Sequence, residues 1–211
     1  MKRIHVHVSV SSLEQSTTYY SELFAAEPTV VEDDYRNVSG RFDAFVSVGM
    51  LEHVGVENYP ELGRVVQRVL KSDGLGLIHS VGRSAPTAVN AWLERRIFPG
   101  SYPPSLREMM AIFEPYDFSV LDVENLRLHY AKTLTEWLER FDANIDEIRD
   151  MYDEHFVRAW RLYLAGCAAS FRASAVQLFQ VLFSPGLHNQ VPLTRTDIYD
   201  GEPSPSKWDM Q

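Results

Sequence analysis

The 211-residue chain is 45% hydrophobic and 12% aromatic, enough to fill one good-sized core, or one domain with an appendage. A formal net charge of -9 argues against a nucleic-acid binder, because neutralising phosphates needs a Lys/Arg excess that is absent here. A single cysteine, Cys167, excludes an intramolecular disulfide framework and suits a reducing cytoplasm, no apolar leader follows Met1-Lys2-Arg3, and no uncharged apolar run approaches the roughly 18 residues that spanning a bilayer requires.

At the N-terminus, Ile4, Val6, Val8 and Val10 alternate with His5, His7 and Ser9, the period of a strand with one polar face. Ser11 and Glu14 then have capping-box spacing for a helix carrying Leu13, Tyr20 and Leu23. Two histidines on one strand face suggest a metal; a partly exposed strand histidine is the plainer account. Phe42 to Val48 is a short, nearly continuous apolar run, as expected for a strand covered on both faces, and it stops at Gly49 before Glu52 and His53.

From Asn58 to Lys71 apolar residues recur at helical spacing, and Gly74 supplies a stop before a second strand over Leu75 to Ser80. Strand, helix and strand with short connections make a βαβ unit, so the two strands run parallel and Glu52 and His79 lie on one rim. Ligands in open α/β sheets bind beyond the carboxyl ends of the strands, which makes both residues site candidates. A solvated loop carboxylate and a hydrogen-bonded core histidine would leave the same pattern.

Further along, Trp92, Phe98, Tyr102 and Pro103-Pro104 read as an aromatic, proline-broken loop beside Arg95 and Arg96, facing either lipid or plain solvent. Phe118 to Val123 reads as a strand. Leu134, Trp137, Leu138 and Phe141, then Ile145, Ile148, Tyr152, Phe156, Trp160 and Leu164, give a helical stripe for two or more helices, serving as a lid or as ordinary core. Val176 to Phe183 reads as the last strand, and the stretch from Ser184 onward is polar, Pro-containing and loosely held.

The runs FDAFVSVGMLEHVGVENYPELGRVVQRVLKSDGLGLIHSVG, IFPGSYPPS, LHYAKTLTEWLERF and YLAGCAASFRASAVQLFQVLFS, in that order, resemble the C-terminal half of cyclopropane-fatty-acyl-phospholipid synthases and their mycolic-acid relatives. The resemblance implies an α/β fold: a truncated Rossmann-like class I methyltransferase sheet, its last strand antiparallel between its neighbours, with a helical lid and preceded by a short βα unit. It also implies S-adenosylmethionine as cofactor, unsaturated phospholipid acyl chains as substrate, and a bound bicarbonate as base. The bicarbonate ligands fall on Glu52, His79 and Tyr130, and Cys167 matches a cysteine assigned to the active site, although a small buried thiol among alanines is a sufficient packing account. A cytoplasmic protein follows, with peripheral contact at the inner face of the membrane through Arg95, Arg96 and Arg107, and homo-oligomerisation, left as open readings.

The family's glycine-rich cofactor turn has no counterpart, since no GxGxG-like run occurs. Residues 1–33 instead resemble the start of glyoxalase-like vicinal-oxygen-chelate proteins, in which His5 or His7 would take a metal-ligand position. The expected division is 1–33, 34–187 for the methyltransferase half, and 188–211 for the polar tail. An exposed strand edge is an aggregation hazard, so residues 4–10 are expected to pair with the strand at 43–48 in the place of the lost first strand. By itself the chain is expected to bind S-adenosylmethionine weakly or not at all and to form no cyclopropane. The alternatives are a non-catalytic remnant or interaction protein, or a metal-dependent glyoxalase-like protein.

Overall fold

The computed structural model describes residues 4–7, 18, 21–22, 33–191 and 194–195, with residues 4–7 described by their backbone. Strands β1 (Ile4–His7), β2 (Phe42–Val48), β3 (Leu70–Gly82), β4 (Phe118–Asn125) and β5 (Gln177–Pro185) form one sheet in the order β1-β2-β3-β5-β4. β1, β2 and β3 are parallel, while β5 runs antiparallel to both β3 and β4. The expected antiparallel last strand between its neighbours is therefore present. So is the expected pairing of the N-terminal strand, from Ile4 opposite Ala44 to His7 opposite Ser47. Residues 8–10, the Ser11–Glu14 capping box and Leu13, Tyr20 and Leu23 of the expected helix lie outside the described residues, while Thr18, Ser21 and Glu22 within it are helical.

Two helices cover one face of the sheet. Helix α2 (Tyr59–Val69), reached through the single turn α1 (Leu51–Val54), buries Leu62, Val65, Val66 and Val69, and α4 (Leu106–Phe113) buries Met109, Ile112 and Phe113. They close over Phe45, Ile78, Phe179, Val181 and Phe183. The opposite face carries α3 (Ala91–Arg96), α5 (Arg127–Ala143) and α7 (Glu154–Arg172), with α6 (Ile145–Met151) against α7. Ala131, Leu134, Val157, Leu164, Ala168 and Phe171 pack there with Leu178 of β5. Side chains alternate along a strand, so each residue's face is fixed by its parity. Ile78, Phe179 and Val181 point to the α2/α4 side, and Val81 and Leu178 to the α5/α7 side.

Two local expectations are corrected. Gly74 does not end α2: the helix ends at Val69, Leu70 is already extended, and β3 begins there rather than at Leu75. Phe42 faces Leu70 and Ala44 faces Leu75, so Lys71–Gly74 bulge opposite Asp43, held by a 2.7 Å ion pair from Lys71 Nζ to Asp43 Oδ1. Residues 91–96 form a helix and not a loop, because the Asn90 side chain accepts from the N–H groups of Trp92 and Leu93. Among the described residues beyond β5, the Arg195 guanidinium donates to the Asp122 carboxylate.

Candidate functional site

β2 ends at Gly49, whose φ of +64° lies in the left-handed region that a side chain disfavours. The Gly49 N–H donates to the His79 carbonyl at 3.0 Å, tying this corner to β3. One turn later Glu52 lies 8% exposed, an unusual place for a carboxylate. Its Oε1 accepts the Val81 N–H at 2.7 Å, and its backbone carbonyl accepts the Tyr102 N–H at 2.7 Å. Glu52 Oε2 is buried with no hydrogen-bond partner among the described residues. Burial pushes the Glu52 carboxyl above the usual carboxylate range, against the opposing pull of its own backbone N–H and that of Val81.

His79 sits two residues before Val81 and shares its sheet face. Directly opposite it in the antiparallel ladder is Gln180, whose Nε2 lies 3.1 Å from His79 Nδ1. Burial lowers the His79 pKa, favouring the neutral ring. Tyr130 enters the same face from the first turn of α5. That helix start is fixed by the Leu126 N–H donating to the Leu178 carbonyl at 2.8 Å and by Arg127 Nη1 donating to the Phe171 carbonyl at 3.0 Å. The Tyr130 ring packs edge-on to Phe171 at 5.0 Å, and burial, then the neighbouring Cys167 and Glu52, raise its pKa, so it stays a phenol donor.

Cys167 lies half-buried in the same cluster, with its thiol pushed up to about 11 by burial. Such burial suits a packing group better than an activated nucleophile. His79 and Tyr130 therefore lie on the α5/α7 side of one sheet edge, with Cys167 in the same cluster as Tyr130, and Glu52 is held at that edge by the Val81 N–H. Sequence reasoning missed Gln180 and Tyr163. A glutamine inside the otherwise apolar VQLFQVLF was the available signal for the first.

An aromatic file leads to this corner. Along α7, Tyr152 stacks on Phe156 at 4.3 Å, Phe156 on Trp160 at 5.7 Å, and Trp160 meets Tyr163 at 5.0 Å. Tyr163 meets Phe98 edge-on at 5.7 Å, and Phe98 lies 6.4 Å from His53, the neighbour of Glu52. On α3, an open cavity of about 280 Å³ is lined by Ala91, Trp92, Arg95 and Arg96. Among the described residues no group of three His, Cys, Asp or Glu could hold a metal ion, and no helix is long and apolar enough to cross a membrane. The side chains of His5 and His7 lie outside the described residues.

Two solved structures share the fold. A crystal structure of the mycolic acid cyclopropane synthase CmaA1 with SAH and CTAB matches at TM-score 0.72 and 24% identity, covering 85% of this chain and 68% of that one. The cyclopropane synthase MmaA2 from Mycobacterium tuberculosis matches at TM-score 0.71 and 21% identity over the same shares. Among curated relatives, the cyclopropane-fatty-acyl-phospholipid synthase of Escherichia coli (strain K12) is 39% identical over 191 residues, 90% of this chain. The tuberculostearic acid methyltransferase of Mycobacterium tuberculosis is 33% identical over 154 residues, 70% of this chain. The chain spans 50% of the length of the first relative and 36% of the second. The comparisons do not show the glyoxalase-like resemblance of residues 1–33. The family model for mycolic acid cyclopropane synthetase matches residues 4–181, β1 included, and the chain belongs to that family.

Proposed function

We propose that this chain supplies the acyl-chain side of a cyclopropane synthase site, acting on the cis double bond of unsaturated phospholipid chains, with S-adenosylmethionine as the family's methyl source. The observation that carries the reading is Glu52, buried with its Oε2 unpartnered, on the sheet edge shared with His79 and Tyr130. The site lies in the proposed unit of residues 34–187.

These residues serve the closing stage of the reaction. A carbocation on the acyl chain must lose a proton, its C–H electron pair becoming the last ring bond, in a pocket that keeps water from trapping the cation. The donor and acceptor pattern fits bicarbonate: Tyr130 and His79 would donate to it and Glu52 Oε2 would take its O–H, and when bound the ion supplies a base. The residues present do not fit S-adenosylmethionine as a complete site. The first glycine of the chain is Gly40, so no glycine turn follows β1 to bring backbone N–H groups close to a cofactor. Misplacement of a reacting group can cost about a hundredfold in rate. The chain by itself therefore binds this cofactor weakly or not at all, and forms no cyclopropane without a source of the missing contacts. Peripheral membrane contact belongs to the same proposal, supported by Arg95, Arg96 and the exposed Phe98 at the end of the aromatic file.

The test is calorimetric titration with S-adenosylmethionine, paired with mass spectrometry of unsaturated phospholipid incubated with the protein. Absent or millimolar binding and no methylene mass gain are expected. Micromolar binding with a mass gain abolished by Glu52→Gln would overturn the limit set on the chain alone and establish its activity. Micromolar binding with a mass gain that survives Glu52→Gln would instead remove Glu52 from the proposed site.

A further inference from the structure

We propose that Gln180 is a positioning residue that fixes His79 as its Nε2–H tautomer, so that the imidazole faces the site as a hydrogen-bond donor and not as a base. The inference rests on the reading of Glu52, His79 and Tyr130 as one site. It adds a residue from a different strand and assigns His79 its chemical sense.

The geometry begins with register. His79 and Gln180 are directly opposed in the antiparallel β3/β5 ladder, where facing Cβ atoms lie about 5 Å apart and side chains of this length meet without strain. Their neighbours Ile78, Phe179 and Val181 are committed to the opposite core, which leaves this pair on the α5/α7 face with Tyr130. A one-residue slip of β5 would put Phe179 or Val181 beside the ring, and neither could donate or accept a hydrogen bond.

The chemistry follows from the contact itself. An amide nitrogen only donates, so Gln180 Nε2 at 3.1 Å requires a lone pair on His79 Nδ1. A neutral imidazole has one hydrogen to place, and with Nδ1 accepting, that hydrogen is on Nε2. Burial, which disfavours the imidazolium, acts in the same direction. In this tautomer the ring has no second lone pair to offer, and the proton released in the site must go to another group. Glu52 Oε2 is free to accept or share it, because its partner Oε1 already holds the Val81 N–H. Donor and acceptor duties are thus divided between two strands' ends, and the division is set by a glutamine behind the histidine.

The test is a long-range ¹H–¹⁵N correlation spectrum of the full chain with ¹⁵N-labelled histidine, the His79 signals being assigned by their loss in His79→Gln. Wild-type protein should show His79 as a single tautomer with Nε2 protonated and Nδ1 not. Gln180→Glu offers Nδ1 a carboxylate acceptor in place of a donor and should move the hydrogen to Nδ1, and Gln180→Met should leave a mixture. Unchanged spectra of the other histidines would show that each variant is folded, and where Gln180→Glu fails that check, Gln180→Met decides. A wild-type ring protonated at Nδ1, or a tautomer indifferent to a folded substitution at position 180, would overturn the proposal. The readout needs no cofactor or lipid, so its outcome is separate from any measurement of cyclopropane formation.

Discussion

Replacing Glu52 with glutamine asks what the buried carboxyl costs. Because burial raises the Glu52 pKa above its ordinary value, the unfolded chain ionises first as pH rises, and folding stability falls from about pH 4.5 up to the folded pKa. Below the unfolded pKa both states are protonated and no penalty exists; above the folded pKa the loss is complete. Each unit of upward shift corresponds to about 1.4 kcal/mol. Glutamine keeps an oxygen for the Val81 N–H, never ionises, and leaves one polar atom without a partner just as the protonated acid does. The two proteins should therefore melt together at pH 4, and Glu52→Gln should be the more stable at pH 7.5. For a domain of this size the gap should be about 2–4 °C in Tm for each kcal/mol. Differential scanning calorimetry across that range measures it. If the wild type instead gains on the variant as pH rises, the carboxyl is stabilised as an anion and the account of Glu52 given above is wrong.

Other expectations concern the scaffold and the lone thiol. A Cβ added at Gly76 would overlap the ring of Phe183, so Gly76→Ala should cost about 1–3 kcal/mol; combined with Phe183→Leu, the urea-unfolding cycle should show positive coupling, and strict additivity would contradict the packing. Ser105→Ala removes the hydroxyl of the capping box that starts α4 and should cost about 1 kcal/mol in the same assay, whereas an unchanged midpoint would mean that Glu108 alone holds the turn. With its thiol pushed up to about 11, Cys167 should be only about a thousandth thiolate at pH 8, and iodoacetamide should label it far more slowly than free cysteine. Rapid labelling under native conditions would restore a reactive role.

What could be read from the sequence was decided by period and spacing. The run Phe42–Val48 and the Leu75–Ser80 segment are apolar on both faces, as a covered parallel pair requires, so spacing alone sets Glu52 and His79 on one rim. The antiparallel place of β5 and the pairing of β1 came from the family pattern and from the need to cover an edge. The α2-to-β3 junction could not be read, because Lys71-Ser72-Asp73-Gly74 has turn composition yet is held extended by the Asp43 ion pair and by β2. Helix α3 was hidden by prolines and aromatics, and its signal was Asn90, a cap with two N–H groups to accept. Helix α4 also went unread, although Ser105 and Glu108 have capping-box spacing. Gln180 was illegible for another reason: its partner is 101 positions away, and cross-strand register is not a local property.

The bulge at Lys71–Gly74 also determines where the chain tolerates a change of length. Four residues already stand against one there, and the ladder resumes at Leu75 under the control of both β2 and β5. An extra residue beside Ser72 would swell a loop and leave every later side chain on its own face. One residue added between Gly76 and His79 would exchange the faces of Ile78 and His79, driving an imidazole into the α2/α4 core and an isoleucine toward Glu52 and Gln180. Over a span of seven residues, therefore, the same insertion passes from silent to ruinous, and related chains that differ in length within this hairpin-free crossover should differ at the bulge and keep the segment from Leu75 to Val81 at constant length.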